Sequence, residues 1–448
     1  MGLHRFKPMP SGRMGIFWTL SCIKEAAIVE FGCMGHNLYG GSALRRAGVY
    51  EGYGAGLYTT YIDETDISLG DTGRLAATIK HVVAADRPKA VFLLPSAVPE
   101  VIGTDLLAIS RELQPMFPEV KILPIGHGSF AISQHRGVQE ALLALVSALP
   151  KDREDTGAPI SAAMPASASA PTFASDSAVT PAVATAPITA SASVPSFNII
   201  GSCPDVFRYA ADAAEITRLM KSAFGFEPCC ILSSGASVSD IERMGEARVN
   251  LAIRREGVPA ARRLLERFGT PYVYDRPYGI EGTSEWLRAV GKAIGREPDA
   301  AFMESERALA MDQIDQAYDY LEGNEWSYPE EAVLSIGGHA DVVKGILAFA
   351  TKEIPMRKGI CWCDCPEMGD AEIPFFSEAE WIPVVQNHKK GYLMFSGEAL
   401  RWAGKNTQLQ VTNPDASWRI HPYEPPFVGY RGAVHLVNLW INEHTLTH

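Results

Sequence analysis

Short apolar runs that stop at glycine or proline alternate with helix-length amphipathic stretches, and the alternation starts afresh three times. Ala26–Phe31 (AAIVEF), Ala90–Leu94 (AVFLL) and Lys121–Pro124 (KILP) form the first series, with helical patterns at Gly73–Val83 and Gly103–Leu113. The second runs through strands at Phe197–Ile200, Cys229–Leu232, Val249–Ile253 and Pro271–Tyr274, with helices at Asp205–Phe224, Asp240–Met244 and Val258–Phe268. A long helix over Glu304–Glu322 leads into the third. There we expect strands at Ala332–Ile336, Ile360–Cys363, Tyr392–Phe395 and Gln408–Val411, with helices at Asp341–Thr351 and Tyr430–Asn442. Continuously apolar strands separated by helices imply parallel sheets covered on both faces. The expected class is α/β: three doubly wound, Rossmann-like units around a central cleft. In such units ligands bind at the carboxyl ends of strands, at switch points.

One segment breaks the pattern. Ala158–Pro195 consists almost wholly of Ala, Ser, Pro, Thr and Val, with Asp176 its only charge. It buries too little apolar surface to offset its ordering entropy, so it reads as a disordered, semi-extended insertion. The expected organisation is a first unit over 1–153, a linker over 154–196, a second unit over 197–300 and a third over 301–448.

The 448 residues carry a formal charge of −12. That balance speaks against nucleic acid as the main partner, since phosphate backbones demand Lys/Arg clusters. No apolar run nears the roughly 20 residues that span a bilayer. The apolar stretch Met14–Leu20 is short for a signal sequence, and Lys24 and Glu25 follow it closely. The 8 cysteines are too sparse for a disulfide scaffold and are clustered in sequence, which favours metal or redox use in a reducing compartment. The cytoplasm is the expected location.

No G-x-x-x-x-G-K-[ST] loop, strand-linked G-x-G-x-x-G or G-x-S-x-G elbow occurs, so familiar nucleotide-binding and hydrolase motifs are missing. What stands at strand ends is sulfur and imidazole. Cys33 and His36 lie in Glu30-Phe31-Gly32-Cys33-Met34-Gly35-His36, directly after the first strand. Thiolate is the natural ligand of iron–sulfur clusters, and the flanking glycines admit a bulky group. His339 follows a strand at the turn Gly337-Gly338-His339, where it is a candidate ligand contact or a plain cap. Cys361, Cys363 and Cys365 alternate with Trp362 and Asp364, so the thiols share one strand face. They suit either a soft metal or cluster, as a possible second metal site, or a packed core. Cys229–Cys230 reads as core, and Cys203 sits in a loop at a carboxyl edge.

These pieces together resemble the component 1 superfamily of nitrogenase and its relatives. The matching segments are Met14–His36, Val91–Asp105, Phe197–Gly201, Ser335–His339 and Pro426–Ala433, and the resemblance they carry extends over nearly the whole chain outside the insertion. The departures are as informative. Pro10–Ser11 and Ala97 stand where the family's bridging-cluster site has further cysteines, leaving Cys33. Val428 stands where the catalytic α subunit has its cofactor histidine, and Ala252 and Ile253 lie where its cofactor cysteine would fall. The resemblance thus implies an oxidoreductase subunit other than a conventional dinitrogen-reducing α chain, or alternatively a scaffold for metallocofactor assembly. It further implies electrons from a separate ATP-hydrolysing iron protein.

Ligand counting sharpens the partnership. A 4Fe–4S cluster usually takes four protein ligands. Cys22 precedes the first strand and Cys33 follows it, roughly 17 Å apart at 3.3 Å per residue, so one cluster cannot take both. We therefore expect a cluster shared with a homologous component 1-type subunit, to which this chain gives Cys33 alone.

Overall fold

The computed structural model describes residues 10–33, 35, 41, 54–126, 132–152, 194–323, 333–354, 356–389, 391–402, 409–413 and 425–447. Residues 158–193 of the Ala/Ser/Pro segment and His36 fall outside them.

Eleven strands among the described residues form three all-parallel sheets. The first holds β1 (Ala26–Phe31), β2 (Gly56–Thr59), β3 (Ala90–Pro95) and β4 (Lys121–Pro124) in the order β2-β1-β3-β4. The second holds β5 (Ser196–Ile200), β6 (Glu227–Leu232), β7 (Val249–Ala252) and β8 (Tyr272–Tyr274) in the order β6-β5-β7-β8. The third holds β9 (Val333–Gly338), β10 (Arg357–Cys363) and β11 (Tyr392–Met394) in the order β10-β9-β11. In each unit the first strand lies between the second and third. The switch point therefore falls at the ends of β1, β5 and β9, which are followed by Cys33, Cys203–Asp205 and His339.

Side-chain alternation explains why both faces of these sheets are buried. On β1, Ile28 packs toward helices shared with the second unit, while Ala27, Val29 and Phe31 face an outer layer of the first. β3 repeats this, with Phe92 and Leu94 on one side and Val91 and Leu93 on the other. A second core joins units two and three and includes Phe197, Leu251, Ile336 and Val428.

Helix Gly12–Ser21 is buried along its whole length and packs on helix Gln134–Ala148. Glycine makes this approach possible. A Cβ on Gly15 would lie 2.1 Å from the Gln134 carbonyl oxygen, and one on Gly137 would lie 1.9 Å from that of Gly12. The contact sets the first turn of the second helix against the other two units.

Several expected elements differ, among them the helix expected from Gly103, which begins at Leu106 with Asp105 as its cap. Gln408–Val411 is not a strand among its described residues: Gln410 makes one isolated bridge to Phe395. The helix expected from Asp205 begins at Tyr209. Asp205 is held by Arg254 instead of capping that helix. Helices Gln134–Ala148, Ile280–Ile294 and Glu378–Asn387, and strand β2, were not anticipated.

Candidate functional site at the junction of three units

The carboxyl ends of the second and third sheets converge on the first turn of helix Gln134–Ala148. After β5 comes Asp205, after β7 Arg254 and Glu256, after β9 His339, and after β10 Asp364. His135 enters from the helix. All six are buried.

Arg254 grips Asp205 through two bonds, Nη1 to Oδ1 at 2.8 Å and Nη2 to Oδ2 at 2.9 Å. Its Nε and Nη2 also reach Glu256 at 3.0 and 2.8 Å. Gln134 Nε2 donates to Asp205 at 2.9 Å. Burial alone would raise both carboxyls; the Arg254 guanidinium reverses this and holds Asp205 below, and Glu256 well below, the ordinary carboxylate range.

His135 lies between two carboxylates: Nδ1 is 2.7 Å from Glu256 Oε1, and Nε2 is 3.1 Å from Asp364 Oδ1. Both ring nitrogens thus face acceptors, the arrangement of an imidazolium. Burial opposes that charge, but the bonds to Asp364 and Glu256 outweigh it and push the pKa up to about 10. His339 differs. Its Nδ1 accepts from the Asp341 amide at 3.2 Å, so its proton sits on Nε2, which donates to Glu256 at 2.9 Å. The two rings meet edge-on with centroids 5.0 Å apart.

No sulfur takes part in this hydrogen-bonded set among the described residues. Cys33 follows β1 in a loop pinned on both sides: Gly32 N donates to Thr60 Oγ1 at 3.0 Å, and Ser96 N donates to the Phe31 carbonyl at 2.9 Å. The register Phe31↔Pro95 sets Ser96–Ala97 beside Gly32–Cys33. Of the eight free cysteines, Cys33 is the one partly exposed; the other seven are buried.

Cys361, Cys363 and Cys365 all enter the core between units two and three, whereas Trp362 enters a separate cluster with Trp381 and Phe395. Cys363 Sγ donates to the Cys365 carbonyl at 3.0 Å, and Cys365 Sγ to Glu367 at 2.7 Å. Burial pushes the Cys363 thiol up to about 11 and raises that of Cys365 further. Cys203 sits 3.3 Å from Ser233 Oγ, and burial pushes its thiol up to about 11. Cys22 precedes β1 and is pushed up to about 12, chiefly by burial.

The structure thus brings His339 into the junction and leaves Cys33 apart from it, while the CWCDC strand borders the junction, with Cys365 Sγ 3.8 Å from Ser133 Oγ at the start of the helix that carries His135. Sequence reasoning missed His135, Arg254, Glu256 and Asp364 as site residues. One signal was present: Arg254-Arg255-Glu256 interrupts an apolar strand and the following helix with three charges at a carboxyl end.

Comparison with known proteins follows the same lines. A family profile described as "Nitrogenase component 1 type Oxidoreductase" matches residues 11–337. A light-independent protochlorophyllide reductase chain of Nostoc punctiforme is 32% identical over 273 residues, covering 56% of this chain and 52% of that protein. The nitrogenase iron-molybdenum cofactor biosynthesis protein NifE of Clostridium pasteurianum is 22% identical over 297 residues, covering 65% of this chain and 55% of that one. The chain thus spans about half the length of the curated relatives it matches. A solved structure titled "Nitrogenase Cp1 at pH 6.5" superposes with a TM-score of 0.73 at 17% identity, covering 100% of this chain and 94% of that one. At that identity the likeness concerns the fold.

Proposed function

Since the chain belongs to the nitrogenase component 1 type oxidoreductases, we propose that it is a redox subunit whose Cys33 ligates an iron–sulfur cluster at the boundary with a homologous subunit. The observation that carries this reading is exposure. A thiol shared across a subunit boundary must be reachable from outside its own chain, and Cys33 is the only one of eight that is not buried. Bound there, a 4Fe–4S cluster would supply one-electron transfer. The chain's own part is positional: Thr60 and Ser96 fix the backbone on either side of Gly32, and β1 holds the loop at the sheet's carboxyl edge. The further ligands come from the partner, and the electrons from a separate ATP-hydrolysing iron protein, in the cytoplasm.

Conventional dinitrogen chemistry does not fit these residues. Val428 and Ile253, at the positions resembling the α subunit's cofactor ligands, are apolar and buried. The substrate is therefore a different one, placed in the interdomain region. For Cys361, Cys363 and Cys365 we favour packing over ligation, since burial raises all three thiols and all three donate hydrogen bonds within the chain.

The match to NifE favours a second reading, a scaffold that holds a cofactor precursor and hands it on. Anaerobic purification with the partner chain and an iron protein separates the two. ATP-dependent reduction of an added substrate such as protochlorophyllide or acetylene, with electrons delivered through the cluster by the iron protein, supports the enzyme. Transfer of the metal to an acceptor protein without turnover supports the scaffold.

A further inference from the structure

The junction of the three units carries an inference of its own, independent of the redox reading. We propose that His135, Glu256 and His339 form a binding site for a single divalent first-row transition-metal ion, with Asp364 and Arg254 as outer supports. Each ligand comes from a different unit: His135 from the first, Glu256 from the second and His339 from the third. One ligand atom from each lies within 4.8 Å of the others. Two imidazoles and one carboxylate form a donor set that suits zinc or ferrous iron over magnesium or calcium.

Three further features point to a cation. The first is the outer shell. A metal-ligating histidine usually gives its second ring N–H to a carboxylate. With Nδ1 of His135 turned to Glu256 and His339, its Nε2 already faces Asp364 at 3.1 Å. Arg254 fixes the Glu256 carboxylate in the same way.

Charge is the second. Within this buried cluster the single Arg254 guanidinium stands against three carboxylates, Asp205, Glu256 and Asp364, with the two imidazoles between them. The third is an orphaned atom: Asp364 Oδ2 is buried and has no hydrogen-bond partner among the described residues.

Ligation requires a rearrangement: the nitrogen–oxygen separations of 2.7 and 2.9 Å must open to about 3.3 Å, the spacing of tetrahedral ligands about 2.0 Å from zinc, and the two ring nitrogens, within 4.8 Å of each other, must come to the same spacing. His339 bears the main cost. Coordination through Nε2 moves its proton to Nδ1 and gives up the 3.2 Å bond from the Asp341 amide. The site is distinct from Cys33 and contains no sulfur.

The test uses the full-length chain with Cys33→Ser, which keeps that thiol out of the readout. After chelator treatment and desalting, Co2+ is titrated anaerobically and followed by visible absorption and metal analysis. We expect one equivalent bound, with ligand-field bands of a four- or five-coordinate nitrogen and oxygen site, no sulfur charge-transfer band, and displacement by Zn2+. His339→Ala should weaken binding at least about 100-fold, and Asp364→Asn about 10- to 100-fold. Circular dichroism checks that each variant folds, and if one does not, the other carries the comparison. Absence of stoichiometric uptake by the Cys33→Ser chain, sulfur-type bands, or affinity unchanged in a folded variant would overturn the proposal.

Discussion

Nδ1 of His135 lies 2.7 Å from Oε1 of Glu256, a contact between residues 121 positions apart that ties the first unit to the second. Its Nε2 reaches Asp364 of the third unit, 229 positions away. One imidazole thus joins all three units at the place where strand ends converge.

A second buried ion pair, Arg13–Glu30, holds the helix before β1 to the strand that leads to Cys33. Both side chains are almost wholly enclosed. Arg13→Met removes the cation from a buried carboxylate and should cost about 3–5 kcal/mol, while adding Glu30→Leu should recover most of that loss. Chemical denaturation of the single and double variants checks it. A double variant no more stable than the single one would contradict the account.

Gly201 follows β5 with φ +102°, and a Cβ there would lie 2.6 Å from Arg254 Cγ. Gly201→Ala therefore adds backbone strain and pushes on the side chain that holds Asp205. A loss of about 2–4 kcal/mol is expected. A shift in the denaturation midpoint equivalent to under about 0.5 kcal/mol would show that the backbone relaxes freely.

His435 supplies a pH dependence. Burial, reinforced by the nearby Arg208 cation, lowers its pKa from 6.5 to about 4. Its ring stacks on Phe427 at 5.9 Å. The unfolded chain binds this proton more readily, so stability rises with pH between about 4 and 6.5 and is flat above. Over that window the contribution is at most about 1.4 kcal/mol per pH unit, less for residual exposure to solvent. His435→Leu should flatten this part of the stability curve, measured by denaturation at a series of pH values. An unchanged slope would remove His435 as its source.

The packing assignment of the CWCDC strand predicts that Cys361→Ala, Cys363→Ala and Cys365→Ala together lower stability but leave the iron content of the assembled complex unchanged. Iron and sulfide analysis decides between the readings. Loss of iron from the triple variant, with the fold intact, would return these thiols to the ligand set.

The sheets were legible because their strands are largely apolar runs closed by special residues: Ala26–Phe31 by Gly32, Ala90–Pro95 by Pro95 itself. Gln408–Val411 alternates glutamine with apolar residues, yet its described residues make a single bridge, since pairing depends on neighbours that a local pattern does not name. Asp205 looked like the start of a helix because aspartate is a common cap; its carboxylate is taken by Arg254, 49 positions away. Cys33 and His339 were visible because each follows a strand at a glycine-bearing turn. His135, Glu256 and Asp364 were not, because what distinguishes them is their meeting, across separations of 83 to 229 residues.

The central claim is that Cys33 is this chain's ligand to a cluster shared with a homologous partner. Its most direct test is anaerobic co-expression of the two chains, followed by EPR of the reduced complex with and without Cys33→Ala. The account predicts a cluster signal from the wild-type pair, none from this chain alone, and its loss or conversion in the variant while the complex still assembles. A full signal that survives Cys33→Ala, or one given by this chain by itself, would contradict it.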